Sequence, residues 1–100
     1  MIYLIATLKI KPGSLPKFID AAKTCIEATR QEPGCISYDL VQSQTDEDTL
    51  MFVERWENQE ALDGHFNAPH FKVWREAGGS YFLDRKIEII EVDADAVKVL

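Results

Sequence analysis

The 100-residue sequence is short of several residue types that build specialised scaffolds. It has two cysteines, Cys25 and Cys35, too few for a disulfide framework and without the paired spacing of a metal knuckle. Both are expected as free thiols acting as small hydrophobes. The two histidines, His65 and His70, lie five apart across a proline. Helical metal sites use spacings of three or four with a third ligand close by. No Cys or Asp completes such a set, and Glu54 is the one added ligand considered, so neither metal nor cofactor is expected. Basic residues are outnumbered, 11 against 17 acids, for a net charge of −6. The four arginines, Arg30, Arg55, Arg75 and Arg85, are scattered. That balance argues against nucleic-acid partners and anionic membrane surfaces. No stretch approaches the roughly 20 apolar residues of a membrane helix. The opening Met1-Ile2-Tyr3-Leu4-Ile5-Ala6-Thr7 lacks a basic flank and soon meets Lys9 and Lys11, which argues against a signal peptide and for the cytoplasm. Phosphate loops, dinucleotide fingerprints and Gly-x-Ser-x-Gly elbows are absent.

What remains is ordinary globular material, 46% hydrophobic and 28% charged. Its length suits one domain over 1–100, with a core at about 2–93 and a tail at 94–100. Residues 2–10 are rich in β-branched and aromatic side chains and end at Lys11-Pro12-Gly13, which marks a strand. Ser14 is placed to cap a helix whose apolar stripe is Leu15, Phe18, Ile19, Ala22, Ile26 and Thr29. Glu32-Pro33-Gly34 ends it. Residues 35–43 and 49–57 read as strands of a hairpin around Gln44-Thr45-Asp46-Glu47-Asp48. Asn58 caps a short helix carrying Ala61, Leu62, His65 and Phe66. Asn67-Ala68-Pro69 breaks it, and His70, Phe71, Trp74 and Ala77 line a further helix that stops at Gly78-Gly79. Residues 86–93 form the last strand.

This order, strand, helix, strand, strand, helix, strand, fits an α+β split βαβ fold: a four-stranded antiparallel sheet with helices on one face. The other face is left bare, with Tyr3, Ile5, Met51 and Val53 on it. Uncovered apolar groups cost roughly 25 cal/mol per Å², so a second subunit packed sheet against sheet is the expected cover.

Glu54 is the odd residue, a carboxylate between Phe52 and Trp56 on an otherwise apolar strand face. Burying it costs several kcal/mol unless it is paired. One reading gives it His65 as partner, a pair able to move a proton. The other makes it a structural ion pair or places it at the solvent edge. Tyr38, Phe52, Trp56, Phe66, Phe71, Trp74, Tyr81 and Phe82 are mostly core, and a minority can line an apolar cavity suited to a flat aromatic ligand.

Glu32-Pro33-Gly34-Cys35-Ile36-Ser37-Tyr38-Asp39-Leu40, Phe52-Val53-Glu54-Arg55-Trp56, Glu60-Ala61-Leu62-Asp63-Gly64-His65-Phe66 and Pro69-His70-Phe71 together resemble the antibiotic biosynthesis monooxygenase domain family, over about residues 2–92. The resemblance implies a ferredoxin-like βαββαβ fold that pairs into a dimeric α+β barrel. It further implies a cofactor-independent monooxygenase, acting with O2 on a quinol or similar electron-rich aromatic. It places Glu54, Trp56, His65 and His70 near the pocket. On that basis His65 is expected as the base, oriented by Glu54, with Trp56, Phe66, His70 and Trp74 lining the substrate site. The alternatives are an isomerase of a small carbonyl metabolite and a non-catalytic ligand-binding dimer. The heme-degrading branch relies on an asparagine in the first strand, and residues 2–10 contain none.

Overall fold

The computed structural model describes residues 1–100. Strand β1, Ile2–Ile10, runs through the middle of the sheet and alternates strictly. Ile2, Leu4, Ala6, Leu8 and Ile10 are buried, while the residues between them are only half-buried. That two-residue period is the signature of a strand covered on one face. Helix α1, Leu15–Thr29, follows, then the hairpin β2, Cys35–Gln42, and β3, Thr49–Trp56. Two short helices, α2 (Gln59–Asn67) and α3 (Pro69–Gly79), precede β4, Phe82–Glu91. The sheet order is β2-β3-β1-β4, and every pairing is antiparallel. This is the expected ferredoxin-like α+β arrangement. No helix is long and apolar enough to cross a membrane.

Local chemistry explains the element boundaries. The Asn58 side chain accepts a hydrogen bond from the Ala61 amide at 2.9 Å and starts α2, as an N-cap does. Pro69 ends α2 and opens α3 within two residues, since proline fits a first helical turn but not a helix interior. Ser14 differs from its expected part: it precedes α1 but makes no side-chain cap, and its hydroxyl donates back to the Lys11 carbonyl instead. The buried stripe of α1 is Phe18, Ala22, Cys25 and Thr29, with Ile19 turned outward. The last strand begins four residues earlier than expected, because Phe82 continues the ladder opposite Ile10.

Residues directly opposed across a sheet share a face. Leu4 opposes Glu54 and Ile89, and Ala6 opposes Phe52 and Ile87, all on the helix side. There Phe18 meets Trp74 edge-on at 5.2 Å, and Trp74 meets Phe52 at 5.7 Å. Such pairs add about 0.5–1.5 kcal/mol each beyond area burial. Ile5 opposes Val53, Thr7 opposes Met51, and Tyr3 opposes Ile90 on the helix-free side. Ile87 and Ile89 stay 50% and 51% exposed despite facing the helices, so the helix layer covers the start of β4 at Phe82 and leaves its middle open.

Candidate functional site

The structure divides the expected site residues between two neighbouring places. The first is an apolar cavity of about 60 Å³ between the sheet and α2–α3. Its walls include Tyr38, Phe52, Phe66, Phe71 and Trp74, and Glu54 is its acid. Arg75 and Arg85, both exposed, flank its outer end. Glu54 is 4% exposed and sits opposite both Leu4 and Tyr38 in the ladder. Its hydrogen-bond donor is the Trp56 indole N–H, at 3.0 Å. Burial raises the Glu54 pKa to about 7, against the partial relief of that indole bond and with a further push from the negative charge of Glu32. The sequence places Glu54 here for a simple reason: it takes an inward position of β3, two residues from each of Phe52 and Trp56.

The second place is a polar pocket of about 520 Å³, where the Glu32-Pro33-Gly34 turn meets α2 and the start of α3. The His65 Nδ1 lies 2.9 Å from the Glu32 Oε2. The His70 Nε2 lies 2.8 Å from the other carboxylate oxygen. The turn that carries Glu32 depends on Gly34, whose φ is 82°. A Cβ on Gly34 would also stand 2.5 Å from the Ala61 Cβ, so α2 packs directly on this backbone. The Glu57 amide closes the junction with a hydrogen bond to the Gly34 carbonyl at 2.9 Å.

The expected Glu54–His65 pair is therefore replaced by a Glu32–His65 pair. The partner of His65 comes from 33 residues upstream rather than from β3. A carboxylate partner by itself would raise the histidine pKa, but the direction here is the opposite. His65 is 1% exposed and packed among Trp56 (4.8 Å), Phe71 (4.8 Å) and Tyr38 (5.4 Å). That burial outweighs Glu32 and lowers its pKa below the usual histidine value. Protonation of His65 thus works against the fold, and its contribution to stability is lost as pH falls.

Of the other expected residues, Phe66 and Trp74 line the cavity, and Trp56 reaches it through Glu54. His70 belongs to the polar pocket. Three residues were not singled out in sequence. Glu32 reads there only as the residue before a helix-ending proline, although its turn heads the first of the resembling segments. Arg75 and Arg85 read as solvated charges, and nothing in their spacing signals a shared cavity rim.

An isolated carboxyl that titrates near neutrality, walled by aromatic rings, is suited to taking a proton from an apolar, weakly acidic ligand. Comparison with known proteins gives the family. The family model "Antibiotic biosynthesis monooxygenase" matches residues 1–77. The chain is 41% identical over 75 residues to an uncharacterized protein, sll1783, of Synechocystis; the match takes in 75% of this chain and about half, 51%, of the relative. It is 26% identical to the Escherichia coli protein named "Probable quinol monooxygenase YgiN", over 91% of this chain and 97% of that one. The solved structure of Rv0793 from Mycobacterium tuberculosis superposes with a TM-score of 0.86 at 27% identity, over 96% of this chain and 98% of that chain. With the motif segments, the sheet order and the family match in agreement over most of its length, the chain belongs to the antibiotic biosynthesis monooxygenase family.

Proposed function

We propose that the protein is a monooxygenase that oxidises a small electron-rich aromatic of the quinol class, using O2 and no cofactor, in the cavity at Glu54. The observation that carries this reading is a buried carboxyl, Glu54, inside an aromatic enclosure, where burial raises its pKa to about 7. A base works best when its pKa lies near the working pH. Ionised Glu54 takes the phenolic proton. The resulting anion is a far better one-electron donor to O2 than the neutral quinol. Electron transfer followed by radical recombination puts one oxygen atom on the ring and releases the other as water, with the quinol supplying both electrons. The products are then a hydroxyquinone and water, and no outside reductant is needed. A dry cavity keeps the charge of the anion unscreened until it reacts. Arg75 and Arg85 are placed to meet a polar substituent at the outer end.

The cavity of about 60 Å³ is smaller than the roughly 150 Å³ that admits a benzene ring. Substrate entry therefore involves outward movement of Phe66 and Phe71, which are half-buried rather than locked in the core. The functional unit in this reading is a homodimer closed over the helix-free face at Tyr3, Ile5, Met51 and Val53.

The test is oxygen uptake by chelator-treated protein supplied with chemically reduced benzo- and naphthoquinones. Saturable uptake, with one atom of 18O2 in the product, supports the proposal. Proton exchange into a carbonyl substrate without oxygen uptake would make the protein an isomerase. Tight binding of quinols without turnover would make it a binding module. Either result overturns the monooxygenase reading.

A further inference from the structure

The polar pocket adjoins the cavity at Glu54, touching it through the charge of Glu32, and it gathers three groups that commonly ligate metals. The Glu32 carboxylate and the imidazoles of His65 and His70 bring their donor atoms within 4.8 Å of one another. The contact between the Glu32 Oε1 and the His70 Nε2 is close, 2.8 Å, but out of line for a hydrogen bond. Both atoms are buried and have no hydrogen-bond partner. Orphaned buried polar atoms are uncommon and call for a physical explanation.

We propose that Glu32, His65 and His70 bind a divalent transition-metal cation of the zinc type, with a fourth coordination position open to the pocket. Two imidazoles and one carboxylate form the donor set of open, three-ligand zinc sites. Imidazole nitrogen favours zinc and its neighbours over calcium or magnesium, which take oxygen. Metal–nitrogen bonds of about 2.0–2.1 Å in tetrahedral geometry hold donor atoms roughly 3.3 Å apart. The present carboxylate–imidazole separations, 2.9 and 2.8 Å to the two oxygens of Glu32, open by about half an ångström to reach it, and donors up to 4.8 Å apart close by about 1.5 Å.

Two further features favour a cation. Glu57 and Glu60 line the pocket beside Glu32, and no lysine or arginine does. A concave surface of one sign concentrates counter-ions. The ligands are also held in place before binding. His65 is fixed in its aromatic cage, and Glu32 is set by the Gly34 turn against Ala61. This site can be tested without any substrate.

The experiment titrates zinc chloride into chelator-treated, dialysed protein by calorimetry and repeats the titration with cobalt(II) in the visible range. The expected result is one ion per chain, with the intense d–d bands of four- or five-coordinate cobalt. His70→Gln and Glu32→Gln, checked for folding by circular dichroism, should each weaken binding by more than the about 10- to 100-fold that loss of an outer-sphere partner alone costs. Cys35→Ser should leave binding unchanged, which separates this site from thiol capture. Absence of stoichiometric binding by the wild-type chain overturns the proposal. So does binding that survives both ligand variants, or binding that disappears in Cys35→Ser.

Discussion

Replacing Glu54 with glutamine keeps the shape of the side chain and an oxygen for the Trp56 indole N–H, but removes the ionisable group. The consequence for stability has a definite sign. Unfolded, the carboxyl titrates near 4.5; folded, it titrates at about 7, chiefly because burial penalises the charge. A pKa raised by folding gives stability that is complete below the unfolded value and is lost as pH rises through the folded one. Wild-type protein should therefore lose stability between about pH 4.5 and 7.5 from this residue alone. At about 1.4 kcal/mol per pH unit the loss comes to about 3 kcal/mol, a large share of the about 5–15 kcal/mol that holds a domain folded. For a chain of this size it corresponds to roughly 12 °C in Tm. Glu54→Gln has no such loss. It introduces an amide NH2 that needs partners, at a constant cost of about 1–3 kcal/mol, but that cost does not vary with pH. The measurement is urea denaturation of both proteins at one protomer concentration, from pH 4 to pH 9. The difference between the two curves should change by about 3 kcal/mol in favour of the variant, with its midslope between the two pKa values. Parallel curves would refute the argument, because they would mean that Glu54 titrates alike in the folded and unfolded chains.

Three other expectations follow from the same geometry. Trp56→Phe removes the donor that partly relieves Glu54, so the carboxyl pKa should rise further, by about one pH unit, measurable by NMR titration of the Glu54 side chain. Gly34→Ala combines a left-handed φ with a Cβ 2.5 Å from that of Ala61; it should cost about 2 kcal/mol or more, seen as a lower urea midpoint, and pull Glu32 away from His65. Val53→Asp puts a charge at the centre of the helix-free sheet face, opposite Ile5; sedimentation should show a dimer for the wild type and a monomer for the variant, and a wild-type monomer would contradict the proposed assembly.

How far the sequence reveals the molecule depends on whether the relevant signal is local. The alternation in residues 2–10 is a period-two pattern within one segment, and the burial of β1 follows it without exception. Glu54 stands out because that pattern makes any charged inward residue anomalous, and its placement in an aromatic cavity follows. The partner of His65 is not local. Glu32 lies in a turn whose Pro33 and Gly34 dominate any reading of chain direction, and only the docking of α2 onto Gly34 brings it to the histidines. The nearer acid, Glu54, is the natural choice in sequence, but it accepts its hydrogen bond from the Trp56 indole N–H. Arg75 and Arg85 come from α3 and β4, and their convergence on one cavity rim depends on tertiary packing alone. The start of β4 at Phe82 is likewise set by its partner Ile10 rather than by its own residues.

The proposed role of Glu54 is that of the base for oxidation of a bound quinol. Its most direct test is the pH dependence of kcat/KM for oxygen uptake, measured for wild type and Glu54→Gln on the same reduced quinone. Wild-type activity should rise through a pKa of about 7, and the variant should be slower by about 10²-fold or more with that rise abolished, while circular dichroism shows an unchanged fold. Equal rates in the two proteins, or the same rise with pH in both, would contradict it.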